Sequence, residues 1–299
     1  MEYLVQQFLN ALAFGSEYAL LALGLAVVYS IMRLLNFAHG EVISTAGYSV
    51  LLAMAFGLSS PWIAVLLPIA AAVGISLALE RVAFRPVRNA PATTGMLTAF
   101  GVSIMMQNLL QLLVSARPQA VPLLNGLSTT WYIGSYTVSS LQVLELLAAV
   151  VSISALVIFL NHSNLGIAMR AASRDFATVR LMGIRANRVI ATAFAISGML
   201  AGIATVFILA RRGGVAPDMG FSLVIKAFVA CVIGGFGSLA GAAVGGMLLG
   251  FIEVGLLVAL PQEFGGLRDA LTYVIVIAIL VYRPEGLLGS RRELGDKEF

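Results

Sequence analysis

Charge is scarce in this sequence. Asp, Glu, Lys and Arg make up 11% of 299 residues, and Lys226 and Lys297 are the only lysines. A soluble globular domain carries about 25% charge, so this chain has too few polar side chains to cover a water-facing surface. Cys231 stands alone inside an apolar run, which excludes an intrachain disulfide and a cysteine-based metal site. His39 and His162 are the only histidines and fall on different segments with no HExxH spacing, so no metal ligands are assigned. No GxxxxGK motif followed by Ser or Thr is present, so the chain carries no phosphate-binding P-loop, and no cofactor on this chain is expected. Gly235 to Ala240 reads GFGSLA and fits the loose dinucleotide pattern G-x-G-x-x-A. It lies between two apolar segments rather than between a strand and a soluble helix, and no acidic residue follows in a polar context about 20 residues on. The net charge of +4 does not point to nucleic acid, because the basic residues follow membrane topology.

What the chain has is apolar length. Hydrophobic residues make up 60% of it, and the mean hydropathy is +0.98. The apolar runs are long and lack the period-2 alternation of an outer-membrane barrel. The expected fold class is therefore an all-α polytopic membrane protein with about 8–9 transmembrane helices. Runs bounded by polar, Pro or Gly punctuation predict segments at about 8–32, 41–58, 62–80, 93–115, 140–160, 189–210, 222–236, 239–260 and 268–282. Segment 222–236 is short and carries Lys226, so a broken or re-entrant helix is expected there. MEYLVQQF has no basic residue ahead of its apolar run, so no cleaved signal peptide is expected. One transmembrane domain over 1–299 is expected, in contact with membrane lipid. Its sequence shows no repeat, although an inverted structural repeat could lie below detection.

Arginine sets the orientation. With the N-terminus outside and nine crossings, the inner side holds Arg33, Arg81, Arg85, Arg88, Arg170, Arg174, Arg180, Arg185, Arg188, Arg283, Arg291, Arg292 and Lys297. The outer side holds Arg117, Arg211, Arg212 and Arg268. Positive charge stays on the cytoplasmic side, so the N-terminus is expected outside and the C-terminus inside.

Two features sit on this frame. The stretch LLNFAHGEVISTAGY (34–48) places Asn36, His39, Glu41, Thr45 and Tyr48 at the mouth of an apolar segment. Asn36 is able to cap the next helix, and Glu41 in its first turn suits the helix dipole. His39 and Glu41, two residues apart, would not face each other on a helix, and no nucleophile is nearby, so catalysis is not expected. The other reading is a polar lining of a path, since ionisable groups inside membrane segments tend to face an interior route. Glu17, Gln107, Asn108 and Gln111 join Asn36, His39, Glu41 and Thr45 as candidates for it. Glu253 and Lys226 are further intramembrane charges, and Lys226 is read as able to snorkel to an interface. Gly237, Gly241 and Gly245 recur every fourth residue, as do Gly198 and Gly202, and small residues at that spacing let helices approach closely.

The second feature is a loop at about 162–188. Within it Ala172, Phe176, Val179 and Gly183 fall on one face of a short helix, with Arg170, Arg174, Asp175 and Thr178 off that face. It reads either as a basic loop that fixes topology or as a helix that docks on a cytoplasmic partner.

Taken together, YALLALGLAVVYSIMRLLNFAHGE (18–41), RAASRDFATVRLMGI (170–184) and VIGGFGSLAGAAVGG (232–246) resemble the permease subunits of bacterial ABC importers for branched-chain amino acids, the H-type permease of the Liv pair most closely. Urea permeases share much of the pattern. The resemblance implies a permease fold related to those of the ribose and vitamin B12 importers, in the bacterial inner membrane. It implies a second homologous permease, two cytoplasmic ATPase subunits that bind ATP and Mg, and a periplasmic substrate-binding protein. It also makes the loop a coupling helix on the ATPase, with Arg170, Ala171, Ala172, Arg174, Asp175, Phe176, Thr178, Val179, Leu181 and Gly183 as its residues. Two alternatives stand beside it: a urea or amide permease of the same family, and a stand-alone gradient-driven carrier that uses Glu17 and Glu253 as ion sites.

Overall fold

The computed structural model describes residues 2–58, 60–88, 90–121, 123, 129–133 and 136–288. Each of the nine apolar segments is a helix. The chain runs through α1 (Glu2–Met32), α2 (His39–Ala55) and α3 (Pro61–Leu79), then a π-helical turn (Glu80–Phe84) and the short α4 (Arg85–Val87). After α5 (Ala92–Leu113) come the strands β1 (Gln119–Ala120), β2 (Thr130–Ile133) and β3 (Tyr136–Ser139). Next are α6 (Ser140–His162), α7 (Asn164–Arg174), α8 (Phe176–Leu181), α9 (Ala186–Arg212) and the strand β4 (Gly214–Val215). The helices α10 (Met219–Gly234), α11 (Leu239–Ala259) and α12 (Arg268–Tyr282) follow. Arg291, Arg292 and Lys297 lie outside the described residues. β2 pairs antiparallel with β3, and β1 with β4 in the register Gln119↔Val215.

Seven of the helices are long and apolar enough to cross a membrane. The other two apolar helices are shorter: α2 has 17 residues and α10 has 16. At 1.5 Å per residue each falls short of a hydrocarbon core of about 30 Å. The segment expected to be broken is thus a short helix, and α2 is its counterpart.

These two helices reveal a repeat. α1 ends at Met32, and Arg33 then takes φ +53°. α9 ends at Arg212, and Gly213 takes φ +67°. In each case the left-handed residue bonds back to the carbonyl four positions earlier, Arg33 to Tyr29 and Gly213 to Leu209, both at 2.8 Å. A non-helical linker follows, 33–38 in one half and 213–218 in the other, and then the short helix. Each short helix has glycine at its second position, Gly40 and Gly220. Apart from that glycine the two stretches share backbone rather than side chains, so the sequence did not announce it.

By its contacts the chain forms two units. One comprises 1–26, 126–149 and 226–299. Within it glycines bring helices together. A Cβ on Gly246 would meet the backbone of Ala19, one on Gly250 the backbone of Gly15, one on Gly241 the carbonyl of Gly234 and one on Gly245 that of Ala230. Gly237 does not belong to this ridge. It precedes the start of α11, in a turn at φ +91°, and Ser238 Oγ caps the helix by accepting from Gly241 N at 3.0 Å.

The other unit comprises 27–125 and 150–225. α3 lies on α9, where a Cβ on Gly198 would come 2.7 Å from Ala72 O and one on Gly202 2.6 Å from the Ile69 Cα. Ser76 Oγ donates to the carbonyl of Phe194 at 2.7 Å across the same contact. α2 packs on both α3 and α9.

Candidate functional site

The polar stretch around residue 40 is the start of α2, and it is buried. Asn36 is 3% exposed, His39 1% and Glu41 0%. Asn36 does not cap α2. Ala38 occupies the cap position with no side-chain bond, and the N–H groups of His39, Gly40, Glu41 and Val42 reach the carbonyls of residues 36–38 instead. The tight turn leaves no amide for the Asn36 side chain, and its Oδ1 has no hydrogen-bond partner among the described residues.

His39 and Glu41 point to different helices, as their spacing predicts. His39 Nδ1 lies 3.1 Å from Ser197 Oγ on α9. Glu41 Oε1 accepts from Ser103 Oγ on α5 at 3.0 Å. Thr45 is spent locally, donating to the Glu41 carbonyl at 2.6 Å. Gly40 and Gly220 touch reciprocally: a Cβ on either would fall on the other's carbonyl group. Gly220 N donates to Ser44 Oγ at 3.0 Å. The two short helices thus meet start to start. Phe37 and Phe100 lie edge to face at 6.4 Å, and Phe100 lies 6.3 Å from Phe221, the residue after Gly220. Ser103, Ser197, Phe100 and Phe221 were not singled out from the sequence. Ser103 and Phe100 lie one turn apart on a helix, but only the fold shows which turn meets Glu41.

The other candidates are dispersed. Gln107, Asn108 and Gln111 continue along α5 beyond Ser103. Asn108 and Gln111 are exposed, and Asn108 Nδ2 donates to its own helix at the Ile104 carbonyl, 2.7 Å. Glu17 is buried in the other unit, 3% exposed. That unit also holds Lys226, which does not snorkel. Its Nζ lies 2.6 Å from Glu253 Oε1 and 3.4 Å from Asp269 Oδ1, and Tyr18 donates to Glu253 Oε2 at 2.6 Å. Four helices of that unit meet at one ammonium group, which explains why a lysine tolerates this depth.

The basic loop is two helices rather than one. Asp175 takes extended φ and ψ of −149° and 99° and ends α7, so the helical face drawn across it does not exist. Ser163 Oγ caps α7 by accepting from Gly166 N at 2.9 Å. Ala172 and Val179 are buried, at 3% and 4% exposure, and Phe176 is half-buried. Facing out are Arg170, Ala171, Arg174 and Asp175, then Leu181 at 88% and Met182 at 74% exposure. Gly183 follows at φ +78° and turns the chain toward α9. Thr178 contributes backbone to α8, while its side chain lies outside the described residues. Arg33 Nη2 donates to the Ser173 carbonyl at 2.9 Å, which fastens the α1–α2 linker to the end of α7. Arg88 bonds Asn187 at 2.6 Å and Glu80 at 2.7 Å. Three basic stretches of the sequence therefore gather at one end of this unit, around a cavity of about 360 Å³.

Comparison with known proteins is consistent across nearly the whole chain. Residues 7–281 match the family described as branched-chain amino acid transport system permease component. The high-affinity branched-chain amino acid transport system permease protein LivH of Escherichia coli is 35% identical over 96% of both chains. Its counterpart BraD of Pseudomonas aeruginosa is 34% identical over 95% of both. The ribose import permease RbsC of Escherichia coli is 30% identical over 129 residues, 41% of this chain and 40% of its own.

Proposed function

Because the chain belongs to the family of branched-chain amino acid transport system permease components, we propose that it forms part of the membrane path of an ATP-driven importer for these amino acids. A second permease, two ATPase subunits and a substrate-binding protein complete the assembly in this reading. ATP and Mg belong to the ATPase subunits. Whole-length similarity to relatives named for branched-chain amino acids favours that substrate class over urea or amides. A stand-alone carrier is disfavoured by Glu253, whose charge is taken up by Lys226.

The observation that carries the coupling role is the exposed pair Leu181 and Met182 at the end of α8, beside arginines. Apolar side chains held out beyond the membrane end of a helical unit suit a groove on a partner protein. In this reading that end is cytoplasmic, with the N-terminus outside and the C-terminus inside, which is supported by the positive charge of Arg33, bonded to Ser173, and Arg88, bonded to Asn187. In vesicles holding the whole assembly, ATP-driven uptake of labelled leucine is expected. Leu181→Glu with Met182→Glu lowers uptake about tenfold or more by weakening the docked state by about 1.4 kcal/mol or more, while the permease pair stays intact. Unchanged uptake in that variant, with the ATPases bound normally, would remove α8 from the coupling role.

A further inference from the structure

We propose that Glu41 Oε2 binds the ammonium group of the transported amino acid, with Phe37, Phe100 and Phe221 as the surface for its aliphatic side chain. This rests on the importer reading and assigns a substrate contact within it.

Glu41 is 0% exposed and uses one carboxylate oxygen, Oε1, on Ser103. Its other oxygen has no hydrogen-bond partner among the described residues. A buried carboxylate oxygen left without a donor is costly, and among the described residues no lysine or arginine is bonded to it. Asn36 Oδ1 in the linker and the Tyr48 hydroxyl two turns along α2 also lack a hydrogen-bond partner among the described residues. The exposed Asp218, just before α10, adds negative potential at both Glu41 and Tyr48. The site therefore suits a cation that donates hydrogen bonds, which an ammonium does three times over.

The aromatic surface is joined to it through α5 and through the contact of α2 with α10. Phe100 stands one turn before Ser103 and is 44% exposed, and Phe37 and Phe221 are half-buried against it. Phe221 N lies next to Gly40, the neighbour of Glu41. A carboxyl acceptor and a partly exposed apolar wall on adjoining helices match a molecule with an ammonium at one end and a branched alkyl group at the other. The wall is built by α5, the α1–α2 linker and α10, and the acceptor by α2. Relative movement of the short helices would therefore open or dismantle the site. Discontinuous helices serve substrate sites in this way in other transporters.

The test uses the assembled importer in vesicles, with uptake of labelled leucine and ATP hydrolysis measured per assembled complex. Glu41→Gln is expected to lower uptake about tenfold to a hundredfold while hydrolysis stays within about twofold. Phe100→Ala, a substitution at an exposed position, is expected to lower uptake by about threefold to tenfold. Wild-type uptake is expected to be equal in sodium and in choline buffers. Glu41→Gln uptake within about twofold of wild type would overturn the ammonium site and leave the importer reading standing. Wild-type uptake that collapses without sodium would assign Glu41 to an inorganic cation and overturn it too. A wild-type assembly that hydrolyses ATP but takes up no branched-chain amino acid would overturn the importer reading itself.

Discussion

Gly220→Val abolishes uptake and lowers the unfolding temperature of the purified permease. The added side chain would need space occupied by the Gly40 carbonyl and by Ser44 Oγ, 2.5 Å from the new Cβ. The obstacle is backbone on a helix that is itself packed against α3 and α9, so it does not yield as a flexible side chain would. Overpacking of this kind costs about 1–3 kcal/mol or more. Gly40→Val meets the mirror-image obstacle, the Gly220 carbonyl, and is expected to act alike. Combining the two adds less than their sum, because both break one contact. Gly101→Ala is the control: nothing lies within 4 Å of a Cβ there, and uptake should be unchanged. Thermal unfolding in detergent and uptake in vesicles check both halves. Full activity of Gly220→Val would mean that the short helices do not meet as described.

Lys226→Met should be nearly as damaging, for an electrostatic reason. It leaves Glu253, whose side chain is 9% exposed, without its cation. Removing one partner of a buried ion pair costs about 3–5 kcal/mol, because the survivor remains buried and charged. Asp269 adds little to this, since its side chain is 58% exposed. The double variant Lys226→Met, Glu253→Gln should recover most of the loss, with the Tyr18 hydroxyl still bonded to the neutral amide oxygen. Folded yield and unfolding temperature of the single and double variants measure it. A single variant as stable as wild type would show that the lysine contributes only to solubility at that depth.

Much of this architecture was legible because lipid leaves few choices. A span must be apolar and helical, so run lengths and Pro or Gly punctuation located nine helices, and the shortness of 222–236 was visible as a departure. Gly198, Gly202, Gly241 and Gly245 were read as packing positions, and each lies where an added Cβ would meet the backbone of a neighbouring helix. Gly237 has the same spacing but precedes the cap at Ser238. Spacing alone does not say where a helix begins. The loop at about 162–188 misled for a related reason. Ala172, Phe176, Val179 and Gly183 keep helical periodicity across Asp175, yet the chain is extended there and the helix is broken in two; Ala172 and Val179 are separately buried, and Leu181 and Met182 are exposed. Partners distant in sequence were not legible at all. Ser103 for Glu41, Ser197 for His39 and Glu253 for Lys226 are each set by which helices the fold makes adjacent.

The central claim, that this chain is the permease of a multi-subunit importer, is tested most directly by its company. The tagged chain is purified from native membranes in a mild detergent that preserves known complexes, and the subunits are counted by mass spectrometry. The account predicts a second permease and ATPase subunits in near-equal amounts. A chain that purifies alone, or only with copies of itself, would contradict it and would return Glu17 to consideration as an ion site of a gradient-driven carrier.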